Sequence, residues 1–245
     1  MFNHPLEIAG QTASEKITRI RRVLKQKAAD ALLVSTLDDV MWALNIRGGD
    51  TLYCPISESY LLITLNRCQL FVDKQKLTSD VIATLTEHGI EMEDYTQLSK
   101  TLKAFTPDSV LIHDRRNTDS LLISHIPSQV RLLNMACPVT AMKARKNHTE
   151  LASMEETLRK DGAAVVRFMK WLDEQVPSGK VTELNAEQTL MGYRKEINGY
   201  IGESFRTIAG FAEHGAKMHY AADDKSNYRV CLLYTSDAAD DSLGV

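Results

Sequence analysis

The chain has 245 residues, 44% of them hydrophobic and 25% charged, with a net charge of −3: apolar material for one large globular domain or two ordinary ones, and no charge excess to attract nucleic acid. Pairs such as Arg21-Arg22 and Arg115-Arg116 have no aromatic residues interleaved and read as solvated faces. Cys54, Cys68, Cys137 and Cys231 form no CxxC pair, the N-terminus lacks the basic-then-apolar order of a secretory signal, and no apolar run approaches bilayer length, so structural zinc, a disulfide framework and membrane insertion are not expected and a reducing cytoplasm is.

Residues 1–13 read as an N-terminal extension. In SEKITRIRRVLKQKAA, Ile17, Ile20, Val23 and Leu24 share one helical stripe, with Ser14 as the cap. DALLVS is a buried-strand run, and LDDVMWALNI reads as a helix ended by the turn Arg47-Gly48-Gly49-Asp50. SYLLITL and CQLFVD flank Asn66-Arg67 as a hairpin. LTSDVIATLTEHG predicts a helix closed by Gly89, and another helix follows around YTQLSKTLKAF. DSVLIHD and QVRLLN are strand candidates, with a short helix over TDSLLISHI between them. This alternation predicts an α/β layer domain over residues 14–136, and no repeat of solenoid length is visible.

The pattern changes around Pro138, which places a domain boundary near residues 136–146 and a second domain over 137–230. Leu151, Met154, Leu158, Val165, Met169, Leu172 and Val176 recur at helical spacing. Asn147 and Glu150 form a capping-box pair at the start of this helix, and Pro177-Ser178-Gly179 stops it. A second helix begins near Thr182 and is followed by Gly199. ESFRTIAGF is a strand candidate, and AEHGAKMHY a loop containing Gly215.

Three stretches carry a family resemblance. ALLVSTLDDVMWALNIRGGDTLYCPISESYLLIT, KARKNHTELASMEETLRKDGAAVVRFMKWLDEQVPSGKVTELNAEQTL and SFRTIAGFAEHGAKMHY occur in one order and together cover roughly residues 14–222. They resemble the aminopeptidase P (Xaa-Pro aminopeptidase) family of the creatinase-like, or pita-bread, metallopeptidases. The resemblance implies a creatinase N-terminal-like α/β domain followed by the first, helix-rich part of a pita-bread catalytic domain. It further implies a fragment of a longer enzyme that lacks a preceding first domain, since the helix near Ser14 already matches the start of the second.

The activity so implied is hydrolysis of the bond between an N-terminal residue and a following proline. Two divalent metal ions, manganese above all, activate the attacking water in such enzymes; their Asp, His and Glu ligands lie downstream of the His-Tyr turn. The chain instead ends CLLYTSDAADDSLGV. Asp237, Asp240 and Asp241 have neither the family's spacing nor its strand context, and residues 231–245 resemble translated adapter sequence, hence a non-native tail. No metal ligand is therefore expected in this chain, and no activity from it alone. A half-built catalytic sheet is also expected to be only marginally stable.

The single catalytic residue carried over is His219, in KMHY, which matches the family histidine bordering the scissile peptide; an imidazole donates or accepts at neutral pH. His214 is rejected as a metal partner for it. His4, His88, His113, His125 and His148 are dispersed and read as surface or core-edge groups. Trp42 and Trp171 read as packing residues, and Arg47 and Asp50 as structural. The expected partner is an Xaa-Pro peptide in the intact enzyme, in the cytoplasm, with a homodimer compatible. Two other readings are a short non-catalytic binding or dimerisation protein of this fold, and a fragment of a prolidase or creatinase.

Overall fold

The computed structural model describes residues 1–231, so the expected non-native tail, with Asp237, Asp240 and Asp241, lies outside the described residues except for Cys231. The chain divides into two compact units, Met1–Met154 and a second from Glu155 onward.

In the first unit, β1 (Phe2–Asn3) and the short α1 (Leu6–Ala9) precede α2 (Ala13–Gln26), β2 (Ala31–Val34) and α3 (Leu37–Leu44). Then come β3 (Ile46–Arg47), β4 (Ser59–Thr64), β5 (Cys68–Val72), α4 (Ser79–Glu87), β6 (Glu91–Asp94) and α5 (Leu98–Lys103). The unit continues through β7 (Val110–His113), α6 (Ser120–Ser124), β8 (Arg131–Asn134) and α7 (Pro138–Ala144). Six strands form one mixed sheet in the order β6-β5-β4-β2-β7-β8, parallel at β5–β6, β2–β7 and β7–β8 and antiparallel at β2–β4 and β4–β5. The antiparallel β4–β5 pair is the hairpin expected around Asn66-Arg67, closed by Thr64 N donating to Arg67 O at 2.9 Å.

The strand period of two sorts the core into two layers. Leu32, Val34, Leu61, Ile63, Leu70, Val72 and Ile112 face a cluster closed by α2, α3, α4 and α7. Ala31, Leu33, Leu62, Phe71 and Leu111 face the other side, covered by Leu98 and Leu102 of α5 with Ile126 and Val130. Both faces being covered explains the near-continuous apolar strands ALLV and CQLFV.

Two boundaries differ from the sequence reading. The cap of α2 is Thr12, not Ser14: its Oγ1 accepts from Glu15 N and its own N–H donates to Glu15 Oε2 at 2.7 Å, a reciprocal box that Ser14, already inside the helix, is in no position to form. Ser14 Oγ instead lies 3.0 Å from His88 Nδ1. Helix α3 ends before the Arg-Gly-Gly-Asp turn, because Asn45 adopts a left-handed conformation (φ +53°) and Ile46–Arg47 turns into β3 to pair with β1.

The turn itself is structural. Arg47 donates to the Met41 and Ile46 carbonyls, while Asp50 accepts from Ser57, Glu58 N and Lys76, so the two do not pair with each other. Gly48 is required there, since a Cβ at this position would lie 2.4 Å from the Ser57 Cβ.

Helix α8 spans His148–Gln175. Its first residues belong to the first unit, and the expected Asn147–Glu150 capping box is formed, with Glu150 N donating to Asn147 Oδ1 at 2.9 Å and Asn147 N to Glu150 Oε2 at 2.8 Å. Trp42 Nε1 donates to the same Glu150 carboxylate at 2.8 Å.

The second unit holds the rest of α8, a 3₁₀ turn at Val176–Ser178 stopped by Gly179 (φ +68°), α9 (Glu183–Lys195) and a long irregular segment. Its cluster of buried apolar residues is small: Val176, Val181 and Ala186, backed by Phe168, Trp171, Leu172, Ala209 and Val230. The expected strand ESFRTIAGF is not formed. Among the described residues nothing pairs with Glu203–Phe211 in a ladder, and side chains hold the segment instead: Arg206 donates to Glu187 and to the Ala222 carbonyl, and Glu203 accepts from Arg194 and Thr207.

Candidate functional site

Helix α9 begins where Thr182 Oγ1 accepts from Asn185 N and Asn185 Oδ1 accepts from Thr182 N at 2.7 Å, a second capping box. This start sets Glu183 in the first turn, where a carboxylate is favoured by the amide dipoles of the helix end. Its main chain is pinned as well, because Glu183 N donates to Tyr228 O and Val230 N donates to Val181 O.

The Glu183 side chain is fully buried and gathers donors from the whole segment 211–228. Phe211 N donates at 2.7 Å, Tyr228 N at 2.9 Å, the Tyr220 hydroxyl at 2.8 Å, and His214 Nδ1 lies 3.0 Å away. Burial by itself would raise this carboxyl's pKa; the main-chain bonds from Tyr228 and Phe211 and the side-chain bonds from Tyr220 and His214 outweigh it and hold the group below the usual carboxylate range. Since an ionised carboxylate only accepts, His214 carries its proton on Nδ1. Its ring is buried and stacked on Tyr228 at 3.9 Å and Tyr220 at 4.4 Å between centroids. The Tyr220 hydroxyl also lies against the Ser226 carbonyl, so its one proton is shared between two acceptors.

His219 sits on this same segment, on an exposed turn, and adopts φ +52°. The sequence-predicted residue is thus presented to solvent by a loop whose anchors are Glu183, His214, Tyr220 and Tyr228. In the sequence His214 carries no metal role with His219 and no other; in the fold it is the buried neighbour of Glu183. The visible clue was the Thr-Glu pair opening α9.

A separate groove of about 530 Å³ lies between α8 and the segment after α9, lined by Leu158, Asp161, Arg194, Tyr200 and Phe205 among others; neither His219 nor Glu183 lines it. Among the described residues no group of three or more His, Cys, Asp or Glu side chains converges as a metal site would require. Glu183, the most buried carboxylate of this region, has both oxygens occupied by donors. No helix among these residues is long and apolar enough to cross a membrane.

Residues 1–150 match the Creatinase/Prolidase N-terminal domain, and residues 152–238 match Metallopeptidase family M24. A probable Xaa-Pro aminopeptidase P of Sordaria macrospora is 34% identical over 223 residues, covering 86% of this chain and 36% of the relative. Xaa-Pro aminopeptidase ApepP of Drosophila melanogaster is 31% identical, covering 92% of this chain and 37% of its own length. The X-prolyl aminopeptidase of Caenorhabditis elegans, described as a cytosolic enzyme with a di-nuclear active site, superposes with a TM-score of 0.87 at 29% identity, over 94% of this chain and 38% of that one. The chain therefore spans little more than a third of the length of these relatives. Matched along 1–150 by one family model and along 152–238 by the other, the chain belongs to the creatinase/prolidase and M24 metallopeptidase family, where its relatives are aminopeptidases P.

Proposed function

We propose that this chain serves as an α/β domain and the opening part of the catalytic domain of a metal-dependent Xaa-Pro aminopeptidase, which removes the N-terminal residue from peptides with proline in second place. The observation that carries the reading is the likeness to the Caenorhabditis elegans enzyme, which extends over 94% of the chain and so includes both units. The relatives' activity implies two divalent ions, manganese being the metal proposed, and a cytoplasmic setting. The described residues do not fit such a centre, since they bring no three ligating side chains together.

What the chain itself supplies is His219. Its imidazole is exposed on a turn and able to donate or accept a hydrogen bond near neutral pH, which suits a group that holds the scissile peptide. Residues 1–245 alone are expected to be inactive. The test is a peptide panel with and without proline at the second position, run on the full-length protein that carries this chain and on its His219→Ala variant. Proline-dependent cleavage is expected, with kcat lower by about 10²-fold in the variant. Equal cleavage of peptides lacking proline would refute the reading of the substrate, and an unchanged kcat in the variant would refute the role of His219.

A further inference from the structure

The Glu183–His214 pair has the composition of an acid–base dyad, yet both groups are buried and each oxygen of the carboxylate already accepts from protein donors. A group that substrate cannot reach acts through what it holds. Glu183 holds one segment: its four donors belong to residues 211, 214, 220 and 228, two main-chain and two side-chain, and they bracket His219 on both sides in the sequence.

The backbone of that segment is constrained. Ala212 and His219 both sit at φ +52°, a left-handed conformation that a residue with a Cβ keeps only when its surroundings impose it. Close packing at the turn adds to this, since a Cβ on Gly210 would lie 2.9 Å from the His214 main chain. The aromatic stack of Tyr228 on His214 on Tyr220 closes the loop over the carboxylate. Side chains outside this set leave the segment otherwise exposed from Gly215 to His219.

We infer that Glu183 is a positioning residue: from the first turn of α9 its carboxylate organises the Phe211–Tyr228 loop and thereby fixes the turn that presents His219. This deepens the proposed function and rests on its reading of His219. Glutamine at this position keeps the shape but turns an acceptor into a donor aimed at other donors, so at least one of the four loses its partner.

The experiment measures hydrogen–deuterium exchange of residues 211–228, together with kcat, KM and metal content, in the full-length protein and in Glu183→Gln, His219→Ala and the double variant. Glu183→Gln is expected to speed exchange of the loop by about tenfold or more, with metal content unchanged, kcat reduced by about tenfold, and the double variant no slower than His219→Ala alone. Tyr220→Phe, which removes one donor and leaves the carboxylate partnered, is expected to give the same change at smaller size, and serves as the readout if Glu183→Gln does not fold. Unaltered exchange of the loop in Glu183→Gln or, in that case, in Tyr220→Phe overturns the inference, as does a further multiplicative loss of kcat in the double variant. Faster exchange together with a normal kcat in His219→Ala supports the positioning by Glu183 and removes the catalytic reading of His219.

Discussion

The two units of this chain are held together by different forces. The first encloses a six-stranded sheet between two apolar layers, with Leu32, Leu61, Ile63, Leu70 and Phe71 fully buried. The second has three residues in its buried apolar cluster, while Leu158, Val166, Ile201 and Phe205 are each more than 60% exposed. What orders the second unit is polar: Glu183 with its four donors, Arg194 bridging Asp161 and Glu203, and Arg206 bridging Glu187 and Ala222. Apolar burial is non-directional and tolerates many arrangements, whereas a satisfied polar hub demands one. The region carrying His219 is the one organised by the directional force.

The largest effect that separates the units is expected from the sheet core. Phe71→Ala empties a site with no exposure and is expected to cost about 3–5 kcal/mol. Val181→Ala, in the small cluster of the second unit, is expected to cost about 1 kcal/mol. The two tryptophans make this measurable, because Trp42 lies in the first unit and Trp171 in the second. In single-tryptophan variants under urea, Phe71→Ala should move the Trp42 transition far more than the Trp171 transition. Equal shifts of both would break the comparison by showing one cooperative unit.

Legibility in the sequence followed the same division. The alternation of apolar runs and helical stripes in residues 14–136 predicted every strand of the sheet except β6, which is four residues of EMED and carries no apolar signature. The start of α2 was readable to within two residues: Ser14 and Thr12 are both good caps, and what selects Thr12 is the side chain three positions on, Glu15 rather than Ile17; the short helices α1 and α7 were not anticipated. The capping pair Asn147–Glu150, at the end of the first unit, and the helix start near Thr182, in the second, were both readable, because such signals are local. The Glu183 hub did not show, since its donors stand 28 to 45 residues away and two of them are main-chain amides that leave no mark in a sequence. ESFRTIAGF has the composition of a strand, but composition does not specify the neighbour that a ladder needs.

A middle-sized effect is expected from the one ammonium buried in the first unit. Lys16 Nζ donates to the Trp42 carbonyl at 2.8 Å and to Asn45 Oδ1 at 2.6 Å, and stands 4.1 Å from the Trp42 ring centroid. Burial pushes its pKa down to about 8, with nearby Glu150 opposing and Arg47 and Arg19 adding to the fall. The folded state therefore binds fewer protons than the unfolded state between about 8 and the ordinary 10.5. The Lys16 contribution to stability therefore rises with pH across that window, by on the order of 2 kcal/mol, while the buried thiols Cys68 and Cys137, whose pKa values burial pushes up, contribute in the opposite direction over the same range. Since the thiols are common to both chains, the change in urea midpoint from pH 7.5 to pH 10, read by Trp42, should be more favourable in the native chain than in Lys16→Met, and the difference between the two isolates Lys16. The same pH dependence in both chains would show that this cation has no part in setting the stability of the first unit.

The smallest effect sharpens the comparison most, because the two units share one device. Thr12–Glu15 caps α2 and Thr182–Asn185 caps α9, and either threonine changed to alanine is expected to cost about 1 kcal/mol. The consequences should differ. Helix α2 is also held by Ala13, Ile17, Ile20 and Leu24 in the sheet core, so loss of its cap should fray little beyond the first amides. Helix α9 buries Glu183, Ala186 and Leu190, and its cap sits next to the carboxylate that anchors the His219 loop. Hydrogen exchange in Thr182→Ala should therefore quicken both in the first turn of α9 and in residues 211–228, while in Thr12→Ala it should quicken only within the first turn of α2. If the loop amides of Thr182→Ala stay protected, the carboxylate keeps its place without the helix start, and the polar order of the second unit is less dependent on α9 than its geometry requires.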